Sequence, residues 1–97
     1  MAGYKDYMSL GDAINAFLRK NNLHHKAAIQ SVIMNWETIM GKPIAQATEK
    51  IWFDRGVLYV KMNSPVWRSE LQMARKKIAE VVNREAKDNI VAEVKII

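Results

Sequence analysis

Apolar positions along this chain change their spacing several times, and each change marks an element. Leu10, Ile14, Phe17 and Leu18 fall on one face at helical steps, so Ser9 to about Lys20 is predicted to be an amphipathic helix. Ser9 stands three residues ahead of Asp12, a capping-box spacing in which hydroxyl and carboxylate serve the first free amides. Asn21-Asn22 ends this helix, since asparagine tolerates the left-handed conformation in which helices stop. A second stripe of Ile29, Val32, Ile33, Trp36, Ile39 and Met40 predicts one helix from about His24 to Met40. Gly41 is its stop, and Pro43 bars its continuation. Ile44 to Thr48 is either a short helical turn or an irregular connector, and a short turn into a first strand at about Lys50 is the preferred reading.

The period then falls to two. Ile51-Trp52-Phe53 is a strand, Asp54-Arg55-Gly56 a tight turn, and Val57 to Met62 a second strand with Leu58, Val60 and Met62 on one face. If Ile51 and Phe53 face the core, Trp52 faces away from it, and Tyr59 lies opposite Leu58 and Val60. Ser64 is a natural N-cap and Pro65 is pre-set for the first helical position. Trp67, Leu71, Ala74, Ile78, Val81 and Val82 share an arc of roughly 100° on a helix wheel, which predicts one helix from Pro65 to about Arg84. Lys87-Asp88-Asn89 is a turn. Ile90 to Ile97 is a last strand, with Val94 and Ile96 inward and Glu93 and Lys95 outward. The order is α-α-β-β-α-β: a single α+β domain over residues 9–97, after a lead-in at residues 1–8 that has no periodicity and is expected to be flexible.

Composition narrows the class. A chain of 97 residues with 49% apolar content can bury one core, not two. It has no cysteine, which excludes a disulfide framework and thiolate metal sites. No apolar run approaches the roughly 20 residues that span a bilayer. Met1-Ala2-Gly3-Tyr4-Lys5-Asp6 lacks the regions of a signal peptide, so a soluble, cytoplasmic protein is expected. The formal charge of +5 tilts its partners toward nucleic acid or an acidic protein surface.

Candidate chemistry is sparse. His24 and His25 point about 100° apart on a helix and have no third ligand at matching spacing, so a surface pair is expected and no metal or cofactor. The glycines at 3, 11, 41 and 56 build no phosphate loop, there is no nucleophile elbow, and the carboxylates are scattered among lysines and arginines. No enzyme is expected. Arg68 and Arg75 are seven residues apart, so on one straight helix they stack on a common flank, with Gln72 between them and Lys76 further round. Such a row reaches successive phosphates; it also reads as a solvated flank balanced by Glu70, Glu80 and Glu85. Trp52 and Tyr59, with Arg55 and Lys61 nearby, resemble a stacking platform for unpaired bases. A covering helix would bury them instead, and an exposed pair would equally suit a protein partner.

Several spaced pieces together resemble the DciA family of bacterial replicative-helicase operators. They are Leu10-x3-Ile14, Trp36-x4-Gly41-Lys42-x-Ile44-Ala45, Gly56-Val57-Leu58-Tyr59-Val60, Ser64-x2-Trp67-x2-Glu70-Leu71 and Ile90-x3-Val94-x-Ile96, nearly the whole chain. The resemblance implies a KH-like fold, with helices packed on one side of a small three-stranded sheet. It also implies DNA binding and engagement of the replicative helicase, in the short form that lacks the disordered extension of other members. KH domains grip the backbone through a G-x-x-G loop, and no two glycines here have that spacing, so nucleic-acid contact must use another surface. The expected function is a non-enzymatic, nucleoid-associated adaptor for single-stranded or duplex DNA that assists helicase loading. Arg68, Arg75 and Lys76 would hold phosphates, with Lys61 and Arg55 in support. The alternatives are a protein-interaction or self-association module using Trp52, Tyr59 and the edge of the last strand, and an RNA-binding KH-like protein.

Overall fold

Local signals explain where most elements begin. The computed structural model describes residues 9–14 and 23–97; the lead-in, Phe17, Leu18, the Asn21-Asn22 stop and the His24 side chain lie outside the described residues. Residues 10–14 are helical, and Ser9 Oγ accepts a hydrogen bond from the Asp12 amide at 3.0 Å. The elements that follow are α1 (Leu23–Met34), α2 (Trp36–Met40), α3 (Lys42–Ala47), β1 (Thr48–Asp54), β2 (Val57–Met62), α4 (Pro65–Met73), α5 (Arg75–Ala86) and β3 (Glu93–Ile96).

The helix expected from His24 to Met40 is two helices. Asn35 breaks it at φ −105°, ψ 19°, while its side-chain amide donates to the Ser31 carbonyl at 2.8 Å. The Asn35 backbone N–H keeps its own bond to the same carbonyl at 3.0 Å, so the helix bends there without losing that bond. Gly41 then takes φ 93°, ψ 156°, a conformation open in practice only to glycine. That reversal lets α3 start at once, with Pro43 in its first turn, where a missing N–H costs nothing. The stretch read as a short turn is therefore a six-residue helix, and β1 begins at Thr48 rather than Lys50. Thr48 fixes this corner: its hydroxyl donates to the Ile44 carbonyl at 2.7 Å and accepts from the buried Trp36 indole at 3.1 Å.

Arg55 (φ 47°) and Gly56 (φ 82°) both have positive φ, as a two-residue type I′ hairpin turn requires. The Gly56 carbonyl accepts from the amides of Ala92 and Glu93 at 2.8 and 3.2 Å, which ties the turn to the start of β3. β2 is the central strand, antiparallel to β1 and parallel to β3. A parallel return needs a crossover, and α4 with α5 supplies it. Ser64 caps α4 through a bond from the Trp67 amide at 3.3 Å. The single helix expected from Pro65 to Arg84 is interrupted at Ala74 (φ −105°, ψ 14°), and α5 continues to Ala86. Lys87, at φ 58°, terminates it in the left-handed conformation.

The last strand is shorter than expected. Ile90 and Val91 are buried but outside it, held by Asn83. That amide accepts from both of their N–H groups, at 3.0 and 2.8 Å, and donates to the Val91 carbonyl at 2.9 Å. Leu58, Val60, Met62, Val94 and Ile96 face the helices and meet Ile29, Val32, Trp36, Leu71, Ile78 and Val82 in one core. With each broken pair counted as one helix, and α3 as an addition before β1, the order is the expected one. The architecture is α+β, with the helices on one side of a three-stranded sheet.

Candidate nucleic-acid interface

The side of the sheet turned away from the helices is organised in rows by strand register. Asp54 pairs with Val57, which pairs with Glu93; Trp52 pairs with Tyr59, which pairs with Lys95. At the other end Lys50 pairs with Lys61. These residues alternate with the core-facing ones, so all lie on the outer face. The face thus runs from an acidic row at the hairpin tip, through an aromatic row, to a basic row.

Trp52 and Tyr59 are half-buried and stacked, with ring centroids 5.1 Å apart and planes 6° from parallel. A lysine ammonium sits over each ring: Lys50 at 5.1 Å from the Trp52 centroid and Lys95 at 6.0 Å from that of Tyr59. The pair therefore stands on the outer face, as alternation predicts; the rings cover each other and carry lysines, and Trp52 also borders the cleft beside α1. Lys50 and Lys61 directly opposite one another would repel. Glu49, at an irregularity in β1 between Thr48 and Lys50, lies within 3.4 Å of Lys61 and offsets its charge. Lys50 and Lys95 are members of the face that the sequence reading did not name as site residues, although alternation already turned Lys95 outward and the same signal places Lys50.

The other basic candidates go to different places. Arg55, at the hairpin tip, has a side chain 91% exposed and pairs with neighbouring Asp54 at 3.5 Å. Arg68 is half-buried and donates from Nη2 to the Met62 carbonyl at 3.3 Å. Arg75 follows the break at Ala74, so the helix that carries Arg68 and Arg75 is not straight. Arg75 and Lys76 line a groove of about 290 Å³ with Ala79, Ala92, Glu93 and Val94, between α5 and β3. Arg75 and Lys76 thus share a groove, Lys61 stands on the sheet face, Arg68 reaches the end of β2, and Arg55 is at the hairpin tip.

That groove follows an exposed strand edge. Ile97 donates to the Val60 carbonyl and accepts from the Met62 amide, and Glu93 donates to the Gly56 carbonyl. Residues 93, 95 and 97 are therefore the ones bonded to β2. By alternation the amides and carbonyls of Val94 and Ile96 point the other way. Gln72 caps the Ile96 carbonyl at 2.9 Å, which leaves the main chain of Val94 beside Arg75 and Lys76. Arg75 Nε donates to the Gln72 carbonyl at 3.0 Å, anchoring the side chain while its terminal nitrogens keep their donors.

A larger cleft, about 730 Å³, lies between α1 and the hairpin and is lined by Ile29, Ile33, Ile51, Phe53, Lys26 and Arg55 among others. His25 pairs with Asp88 at 3.2 Å. Among the described residues no group of three or more His, Asp or Glu side chains is placed to hold a metal ion, and no helix is long and apolar enough to cross a membrane.

A family model described as "Dna[CI] antecedent, DciA" matches residues 9–96. A UPF0232 protein of Corynebacterium glutamicum is 28% identical over 88 residues, which covers 91% of this chain and 49% of that protein. A UPF0232 protein of Streptomyces coelicolor is 26% identical over 95 residues, covering 96% of this chain and 50% of its own length. One from Streptomyces avermitilis is 28% identical over 83 residues, covering 84% and 46%. The chain spans about half the length of these curated relatives. No solved structure matches it.

Proposed function

The chain belongs to the DciA family, and from that membership we propose that it is a non-enzymatic, nucleic-acid-binding adaptor that works beside the replicative helicase. The observation that carries nucleic-acid contact is the groove between α5 and β3. Arg75 offers a planar pair of donors and Lys76 a mobile ammonium, both exposed. Together they suit the oxygens of a phosphodiester backbone. They do so without the glycine loop of KH domains, which this chain lacks.

The test is fluorescence anisotropy with labelled DNA at low salt. Arg75→Glu combined with Lys76→Glu should reduce affinity at least about tenfold, because each reversal removes an attraction and adds a repulsion. Thermal melting should be unchanged, since both side chains are exposed. An unaltered affinity in a folded double variant would remove the groove from the interface.

A second reading, a protein-docking module, is favoured by the apolar cleft beside α1 and by Leu10 and Ile14, which are 78% and 48% exposed. Helicase capture that persists at a salt concentration where DNA no longer binds would support it. The two readings are compatible in an adaptor.

A further inference from the structure

Resting on the nucleic-acid reading above, we infer that the open face of the sheet is a second contact surface, which takes the unpaired bases of a strand whose phosphates lie in the α5–β3 groove. Continuity is the first ground. Val94 lines the groove, and its neighbour Lys95 stands on the open face over Tyr59. A strand that crosses the edge of β3 therefore meets Lys95, Tyr59 and Trp52 in a single register row.

The state of the two rings is the second ground. They are offset-stacked, so neither fully covers the other, and ammonium groups occupy positions over the ring faces. At an exposed site a cation–π contact is weak and easily exchanged. An incoming base replaces the ammonium over the ring, and the displaced lysine turns to the phosphate that arrives with it. A nucleotide thus supplies a substitute for each contact it breaks. A duplex cannot do so, because its bases are already stacked on one another. An acidic protein would engage the lysines with carboxylates and would need aromatic or apolar side chains at matching positions for the rings. The charge gradient sets the path: Asp54 repels phosphates at the hairpin tip, while Lys50 attracts them at the other end.

The experiment compares the full chain's affinity for labelled oligo-dT and for an abasic strand of equal length, which keeps the phosphates and lacks the bases. Oligo-dT should bind about tenfold tighter, the scale of one stacked base. Trp52→Ala and Tyr59→Ala should bring oligo-dT down to the abasic level, whereas Arg75→Glu with Lys76→Glu should weaken both strands alike. Lys95→Glu changes only an exposed side chain and should weaken oligo-dT several-fold, so the inference stays testable if an aromatic variant fails to fold. Equal affinity of the full chain for the two strands would overturn the inference. So would an intact preference for oligo-dT in folded aromatic variants. In both cases the groove keeps its role. Failure to bind either strand at low salt would overturn the nucleic-acid reading as well. Loss of helicase capture in Trp52→Ala with unchanged oligo-dT affinity would reassign the face to a protein partner.

Discussion

A single side-chain amide, that of Asn83, supplies the hydrogen bonds that Ile90 and Val91 would otherwise lack. Both residues are buried and neither lies in a strand, so their main-chain groups have no ladder to join. Asn83→Ala should lower stability by about 2–4 kcal/mol, since it strands two amides and a carbonyl away from water. Thermal unfolding followed by circular dichroism measures this, and a change below about 0.5 kcal/mol would contradict it. Nothing local in the sequence marks Asn83, because its partners are seven and eight residues away and reach it only once the chain has turned at Lys87. Ser64, Gly41 and Gly56 differ in this respect. Their roles as cap, stop and turn depend on φ/ψ or on an amide three residues ahead, and each was legible.

At the scale of elements, two breaks separate the helices seen from those expected. Asn35 and Ala74 adopt nearly the same backbone angles, φ −105° with ψ 19° and 14°. Asn35 has a local cause in its bond to the Ser31 carbonyl. Ala74 has none, alanine being the best helix former, and nothing in the structure explains why the break falls there. Its consequence for the interface is nonetheless plain. Arg75 lines the groove beside β3, while Arg68 ties α4 to the end of β2. Arg68→Ala should therefore cost about 1 kcal/mol of stability through the lost bond to Met62 and leave DNA affinity within about twofold. A denaturant melt and an anisotropy titration on the same variant separate the two effects. A large affinity loss with unchanged stability would return Arg68 to the phosphate row.

At the scale of the whole molecule, charge decides the mode of binding. Of the 15 lysines and arginines behind the formal charge of +5, Arg75 and Lys76 line the groove and Lys50, Lys61 and Lys95 stand on the sheet face. For a single strand, log affinity should fall with log salt at a slope of about −0.7 per phosphate neutralised. Replacing Arg75 and Lys76 by glutamine should make that slope shallower by about 1.4. An unchanged slope, measured across a salt series, would mean that neither side chain meets a phosphate.

The sequence by itself determined the α+β class, the hairpin, the N-cap at Ser64 and the outward direction of Trp52, Tyr59 and Lys95. These depend on period, turn chemistry and alternation, all of which act over a few residues. Only the tertiary structure decided that Trp52 and Tyr59 stack and carry a lysine over each ring, that Arg75 and Lys76 line a groove, and that Arg68 bonds the end of β2. The physical reason is distance along the chain. Lys95 meets Tyr59 across a parallel pairing that exists only after α4 and α5 have crossed over, and no local pattern encodes that register.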